Sequence, residues 1–288
     1  MFTGRRHAKI IIAFFAPALL LIAAVSLYPI GYSLAISFYA TRFTALTDFI
    51  GLENYSLMMQ DQRLWLNVRV TLIYVLGTLL GAIPLGVALA MVLNNPAIRF
   101  RALFRAILIL PWAIAQIVIA LLFRWLLDGI FGPVAYSATQ LGLTFPDFTG
   151  NATWAMIVIV TANIWRSFPF VIILTLAALQ TVPEELYQAA KIDGAAGFAL
   201  TRYITLPLIM PTLFIAGILL VVESVNMVAL VFVLTDGGPL RSTEILGIRI
   251  YKEIFSHWNL GYSAAMGVLM LFINLTFAIL YVRFARDR

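Results

Sequence analysis

Six apolar runs, at about 10–38, 68–93, 102–127, 153–181, 207–234 and 261–284, alternate with short polar stretches along the chain. Each is long enough for a helix to cross a hydrocarbon core about 30 Å thick, which takes roughly 20 residues. Only helices and closed barrels satisfy the backbone in lipid, and these runs are far too continuous for barrel strands. The pattern predicts an all-α integral membrane protein with six transmembrane helices and a single transmembrane domain over 1–288. The intervening stretches 39–67, 128–152 and 235–260 are too short to fold alone.

Composition agrees: of 288 residues, 62% are hydrophobic and 11% charged, against about 25% charged in soluble domains. The apolar run after Arg5, Arg6, His7 and Lys9 continues to about Phe38. It outlasts the roughly 7–15 residues of a cleaved signal peptide, so a retained first span is expected. An even number of spans puts both termini on one side. With that side inside, the inner segments hold Arg5, Arg6, Lys9, Arg99, Arg101, Arg105, Lys191, Arg202, Arg283, Arg286 and Arg288. The outer segments hold Arg42, Arg63, Arg69, Arg124, Arg241, Arg249 and Lys252. The positive-inside rule then places both termini in the cytoplasm. The net charge of +6 is absorbed by this bias, so nucleic acid is not implied. No cysteine is present, and His7 and His257 are far apart, so no disulfide, thiolate or metal motif is offered.

The polar stretch 182–206 between spans four and five is shaped as a short helix. Pro183 suits a first helical turn. Glu184 and Glu185 favour the positive end of the dipole. Leu186, Ala189 and Ala190 can share one face, Gly194 breaks the helix, and Pro207 opens the next span. The result is a compact knob facing the cytoplasm, open to reading as an ordinary connector or as a docking element.

"ELYQAAKIDGA…ITLPLIMP" resembles the coupling (EAA) loop of permease subunits of bacterial ABC importers. "YPIGYSLAISF" (Tyr28–Phe38), "FIGLENY" (Phe49–Tyr55), "NIWRSFPF" (Asn163–Phe170) and "LTDGGP" (Leu234–Pro239) resemble the carbohydrate-uptake branch, of the maltose and glycerol-phosphate type. The resemblance covers nearly the whole chain. It implies the type I importer permease fold in the cell inner membrane, with Glu185, Gln188, Ala189, Ala190, Asp193 and Gly194 coupling to an ATPase. Gln188 stands where the family has Glu before the two alanines, keeping length but losing charge.

The resemblance also implies partners. Two copies of a cytoplasmic ABC ATPase use ATP and Mg and drive a rigid-body change between inward- and outward-facing states. A second permease, forming a heterodimer, and a periplasmic or extracellular solute-binding protein complete the set. This chain contains no G-x-x-x-x-G-K-[ST] phosphate loop, so it is read as a transport subunit, not an enzyme, and binds no cofactor itself.

Two charges, Arg166 and Glu223, fall near the middle of spans, where charge is costly and marks pathways or partners. Asn163, Arg166, Ser167 and Phe170 share one face of span four. Leu220, Glu223, Ser224 and Met227 share one face of span five, with Asn226 somewhat rotated. The resemblance places the solute site at these two segments and makes Asn163, Arg166, Ser167, Phe170, Glu223, Ser224 and Met227 its candidates. Two readings stay open for the charges. Arg166 and Glu223 pair with each other away from solute, or Arg166 offers its forked donors to solute oxygens with Glu223 orienting it. A guanidinium in the cavity would also suit an anionic carbohydrate. Trp112, Trp125, Trp154 and Trp165 read first as interfacial anchors, and Pro84, Pro111 and Pro169 as kinks. The competing class is a self-sufficient secondary transporter or channel for a small polar solute, which commonly shows internal repeats; none is evident here.

Overall fold

The computed structural model describes residues 14–43, 45–143, 147 and 149–286. The basic cluster Arg5–Lys9, Arg288 and the first residues of the predicted first span (10–13) lie outside the described residues. The chain divides into two compact units, Met1–Gln62 with Ile250–Phe272, and Arg63–Arg249 with Ile273–Arg288.

In the first unit, helix α1 (Phe14–Ile36) is apolar throughout and none of it is buried within the chain. The stretch predicted as loop after it is ordered by local bonds. Strands β1 (Tyr39–Arg42) and β2 (Ala45–Phe49) pair antiparallel, Tyr39 with Phe49 and Arg42 with Ala45. Helix α2 (Glu53–Gln60) follows. The buried Asn54 amide donates to the carbonyls of Ser37 (2.9 Å) and Tyr39 (3.1 Å), filling acceptors that the end of α1 would leave open.

In the second unit, α3 (Gln62–Asn94) is long and apolar. The third predicted span is not one straight helix: α4 (Arg101–Ala113) and α5 (Gln116–Leu126) meet at 98°. Ile114 and Ala115 both take extended backbone, with ψ of 137° and 140°. Pro111 sits just before the break and supplies no N–H to the last turn. A short helix α6 (Pro133–Gln140) lies between α5 and the unbroken α7 (Ala152–Leu179), whose first two free N–H groups are taken by the Asn151 side chain.

Helix α8 (Glu184–Ile192) occupies the predicted knob. The fifth predicted span starts earlier than expected, as α9 (Phe198–Val225). A π-helical turn over Thr201–Thr205 lets the Leu206 N–H reach back to the Thr201 carbonyl, so the helix runs on through Pro207. It also stops early. Asn226 and Met227 break it, and α10 (Val228–Thr235) continues the apolar run. Helices α11 (Leu246–Phe255) and α12 (Leu260–Arg286) complete the chain.

The core of this unit lies among α3, α7 and α9, with Ala82, Val87, Ala90, Phe168, Ile172, Leu176, Ile209 and Leu213 among its members. Gly86 permits the closest approach of α3 to α7: a Cβ there would come within 2.9 Å of the Phe168 carbonyl oxygen. This three-helix core is the frame on which the intramembrane polar groups are mounted.

Candidate functional site

Three helices bring their polar residues together at one level. The Asn163 amide on α7 donates to Thr78 Oγ1 on α3 (3.1 Å) and to Ser224 Oγ on α9 (3.2 Å), while Ser167 Oγ donates to Asn163 Oδ1 (3.3 Å). Asn163 is 0% exposed, and Ser167 and Ser224 are 1% exposed. These residues therefore clamp the three helices to one another. Amide and hydroxyl groups buried in this way stay only where hydrogen-bonded, and the clamp supplies those bonds.

Beside the clamp, Arg166 Nη1 donates to Glu223 Oε1 at 2.6 Å. The two side chains differ in access: that of Arg166 is 10% exposed and that of Glu223 is 31% exposed. Among the described residues Arg166 is the one group bonded to Glu223. The Arg166 Nε is buried without an acceptor. The pair thus holds a spare donor and a spare, accessible acceptor. Tyr74 on α3 is fully buried beside Asn163, its hydroxyl short of full hydrogen-bond geometry.

The remaining two candidates sit differently. Phe170 is partly buried and packs on Trp112, ring centroids 6.0 Å apart. Met227 is 1% exposed and lies at the break between α9 and α10. The helical spacing that joined it to Glu223 on one face stops at Val225, so Met227 is a core residue of the break. Trp165 likewise packs inside, edge-on to Phe123 at 5.9 Å, rather than anchoring at a span end.

The knob presents a stripe. Glu185, Gln188, Ala189 and Ile192, spaced i, i+3, i+4, i+7, are all exposed, Ile192 to 86%. Ala190 is the exception among the predicted coupling residues: it is buried, 9% exposed, on the face that rests on the protein. Asp193 caps the helix and Gly194 follows with φ +86°, a left-handed conformation that a residue with a Cβ adopts at a cost. The Tyr187 and Thr205 hydroxyls bond at 3.0 Å, tying α8 to the first turns of α9. Behind them is a cavity of about 340 Å³ lined in part by Asn94, Glu184, Tyr187, Lys191 and Thr205.

Sequence reasoning missed a second ion pair. Glu244, in a stretch predicted as outer loop, is 1% exposed. Arg63 Nη2 donates to its Oε1 (3.1 Å) and Oε2 (3.4 Å), and the Asn67 amide donates to its backbone carbonyl (2.6 Å) and Oε2 (3.3 Å). The Leu246 N–H donates to Thr71 Oγ1 (2.8 Å), and the Thr235 and Thr243 hydroxyls bond at 2.7 Å. The available signal was Arg63, Asn67 and Thr71 at i, i+4, i+8 on one face of α3.

A cavity of about 550 Å³ between α3 and α9 is lined only by apolar side chains and Gly217, among them Leu79, Ile83 and Phe214, and offers a polar solute nothing. Among the described residues no cluster of three or more His, Asp or Glu could hold a metal ion.

The sulfoquinovosyl glycerol transport system permease protein SmoG of Agrobacterium fabrum is 31% identical over 275 residues, covering 95% of this chain and 89% of that protein. The trehalose/maltose transport system permease protein MalF of Thermococcus litoralis is 30% identical over 287 residues, covering 98% and 96%. Among solved structures, a chain of a bacterial alginate ABC transporter, in complex with an alginate pentasaccharide-bound periplasmic protein, superposes with a TM-score of 0.81. That match has 21% identity and covers 100% of this chain and 97% of that one; it supports the type I importer permease fold. The family model for binding-protein-dependent transport system inner membrane components matches residues 82–288, and the chain belongs to that family, as a permease subunit of an ABC importer.

Proposed function

We propose that the chain carries a carbohydrate or carbohydrate derivative through the inner membrane by alternating access, paired with a second, homologous permease. The solute arrives from an external binding protein, and two ATPase subunits on the cytoplasmic side use ATP and Mg. Both termini then lie in the cytoplasm, on the side of α8.

One observation carries this reading: the docking knob and the ion pair share the same helices. Helix α7 bears Arg166 and runs down to α8. The Tyr187–Thr205 bond ties α8 to α9, and α9 bears Glu223. Thr205 and Glu223 are separated by about 27 Å of helix at 1.5 Å per residue. A push on the exposed stripe of α8 therefore moves both halves of the pair as one body. At the pair, the accessible Glu223 carboxylate accepts from a solute hydroxyl while Arg166 donates, a combination suited to adjacent hydroxyls of a sugar. Asn163, Ser167 and Ser224 hold the helices that present the pair, and Phe170 borders it.

The test is affinity purification of the tagged chain from its own host in mild detergent, with mass spectrometry of what accompanies it. A phosphate-loop ATPase and a second permease are expected. A chain that purifies reproducibly alone, even after crosslinking, would sink the importer reading and favour a self-sufficient transporter. Gln188→Glu, which restores the family charge on the stripe, is expected to retain the ATPase and to change solute-stimulated ATP hydrolysis by less than about fivefold, since an exposed charge contributes about 0–1 kcal/mol.

A further inference from the structure

The segment joining α5 to α7 has no charged residue from Gly129 to Pro146, although it lies outside both spans. Its surface is strongly apolar: Ile130 and Phe131 are each 81% exposed, Leu141 76% and Tyr136 66%. An apolar surface of this kind facing water marks a binding site. Local structure holds these side chains outward. Asp128 Oδ1 accepts from the N–H groups of Phe131 (2.7 Å) and Ile130 (2.9 Å), and Pro133 opens α6 in the position where its missing N–H costs nothing. Only Ala135 of α6 is buried, so the helix rests on the protein through one small residue.

The position of the segment relative to the membrane follows from its ends. It leaves α5 at Trp125 and enters α7 near Trp154, 57% and 43% exposed, and Trp and Tyr concentrate at the membrane–water boundary. Arg124, Thr149, Val233 and Thr235 line one cavity of about 230 Å³. That brings the end of α5, the approach to α7 and the end of α10 to one face, at the opposite end of α7 from α8.

We propose that α6 with its flanking turns lies in the headgroup–acyl boundary of the leaflet opposite the docking knob, and that its ligand is the phospholipid bilayer itself. A solute-binding protein must leave in every cycle, and charge steers such encounters. This segment has no charge between Gly129 and Pro146, and among the described residues its exposed polar groups are only the neutral Ser137, Thr139 and Gln140 beside Tyr136. Lipid fits the same surface without needing any: apolar side chains enter the acyl boundary while Tyr136 stays at headgroup level. The segment then fixes the height of α5 and α7 in the membrane, and with it the level of Arg166.

The chain has no cysteine, so Ile130→Cys, Phe131→Cys and Leu141→Cys each place one spin label on it. The assembled complex, its other subunits made cysteine-free, is placed in phosphatidylglycerol/phosphatidylethanolamine nanodiscs. Collision of the label with oxygen is compared with collision with a water-soluble nickel chelate. Arg241→Cys, at an exposed charged residue, is the water-facing reference. Oxygen collisions exceeding nickel at all three sites, at depths of about 5–10 Å, are the expected result, with the reverse at 241. Nickel-dominated collision at the three sites overturns the proposal. So does protection from both reagents, which would mean that a second permease or the binding protein covers the segment. Neither outcome bears on the ATPase, which is tested separately by co-purification.

Discussion

Two arginine–carboxylate pairs of the larger unit, Arg63–Glu244 and Arg166–Glu223, look alike in composition and differ in how their carboxylates are used. Glu244 is 1% exposed, receives both oxygens' worth of bonds from Arg63 and Asn67, and has its backbone carbonyl occupied as well. Glu223 is 31% exposed at the side chain and holds a single bond from Arg166. A buried charge with all its lone pairs satisfied is locked, because any rearrangement strands it at high cost. A half-accessible carboxylate with a spare oxygen can exchange partners. The difference teaches that charge inside a membrane protein does two jobs. Glu244 fastens the stretch before α11 to α3, whereas Glu223 keeps one carboxylate oxygen unbonded among the described residues, which is what the proposed solute site requires.

The largest expected effect comes from breaking the locked pair. Glu244→Ala takes the buried carboxylate away from Arg63 and removes the Asn67 contact to Oε2, while the contact to the backbone carbonyl stays. Removing one partner of a buried pair costs about 3–5 kcal/mol, so the assembled complex should be recovered in much lower yield, with lower thermal stability in detergent. Normal yield and stability would erase the contrast between the two pairs.

Next is Arg166→Ala. It unpairs a carboxylate that already reaches the surface, so assembly should persist. Loss of a hydrogen bond to a charged group, about 1.5–3 kcal/mol, predicts uptake lowered about ten- to hundredfold, read in proteoliposomes with the binding protein present. Unchanged uptake kinetics would take Arg166 out of the site.

The exchange Arg166→Glu with Glu223→Arg sharpens the same comparison. It keeps an ion pair between α7 and α9 and reverses what the accessible position offers. If the pair only braces the helices, the double variant should recover uptake relative to Arg166→Ala. Assembly retained as in Arg166→Ala, without recovered uptake, is the expected result.

How far these residues could be read from sequence follows from where each partner lies. Arg166 and Glu223 stood out because a charge within an apolar run is visible without neighbours. The Asn163 clamp was only half visible: Asn163 and Ser224 fell on the chosen faces, but Thr78 and Tyr74 lie on a third helix, and helical spacing within one element says nothing about a partner 85 residues away. Glu244 was hidden by its setting, since "GGPLRSTE" has the composition of a surface turn. The spans were legible as lengths of apolar chain, yet the bend at Ile114–Ala115 and the break at Met227 depend on backbone angles that hydropathy does not encode. Ala190 was placed on the docking face because 186, 189 and 190 are compatible at helical spacing; only packing decides which side of a small residue meets the protein.

The smallest expected effect concerns Tyr74, fully buried beside Asn163 with its hydroxyl short of a full hydrogen bond among the described residues. A buried hydroxyl without a partner costs about 1–3 kcal/mol. Tyr74→Phe removes that cost, so the complex in the conformation described here should gain stability, by up to about 1 kcal/mol after the loss of packing around the oxygen. The hydroxyl holds none of the clamp's bonds, so uptake in proteoliposomes should be unchanged while the melting temperature rises. A variant that is more stable but slower would show that the hydroxyl takes part in the transport cycle. A variant that is less stable would mean that it already holds a bonded water beside Asn163, which places water, and a route for it, next to the ion pair.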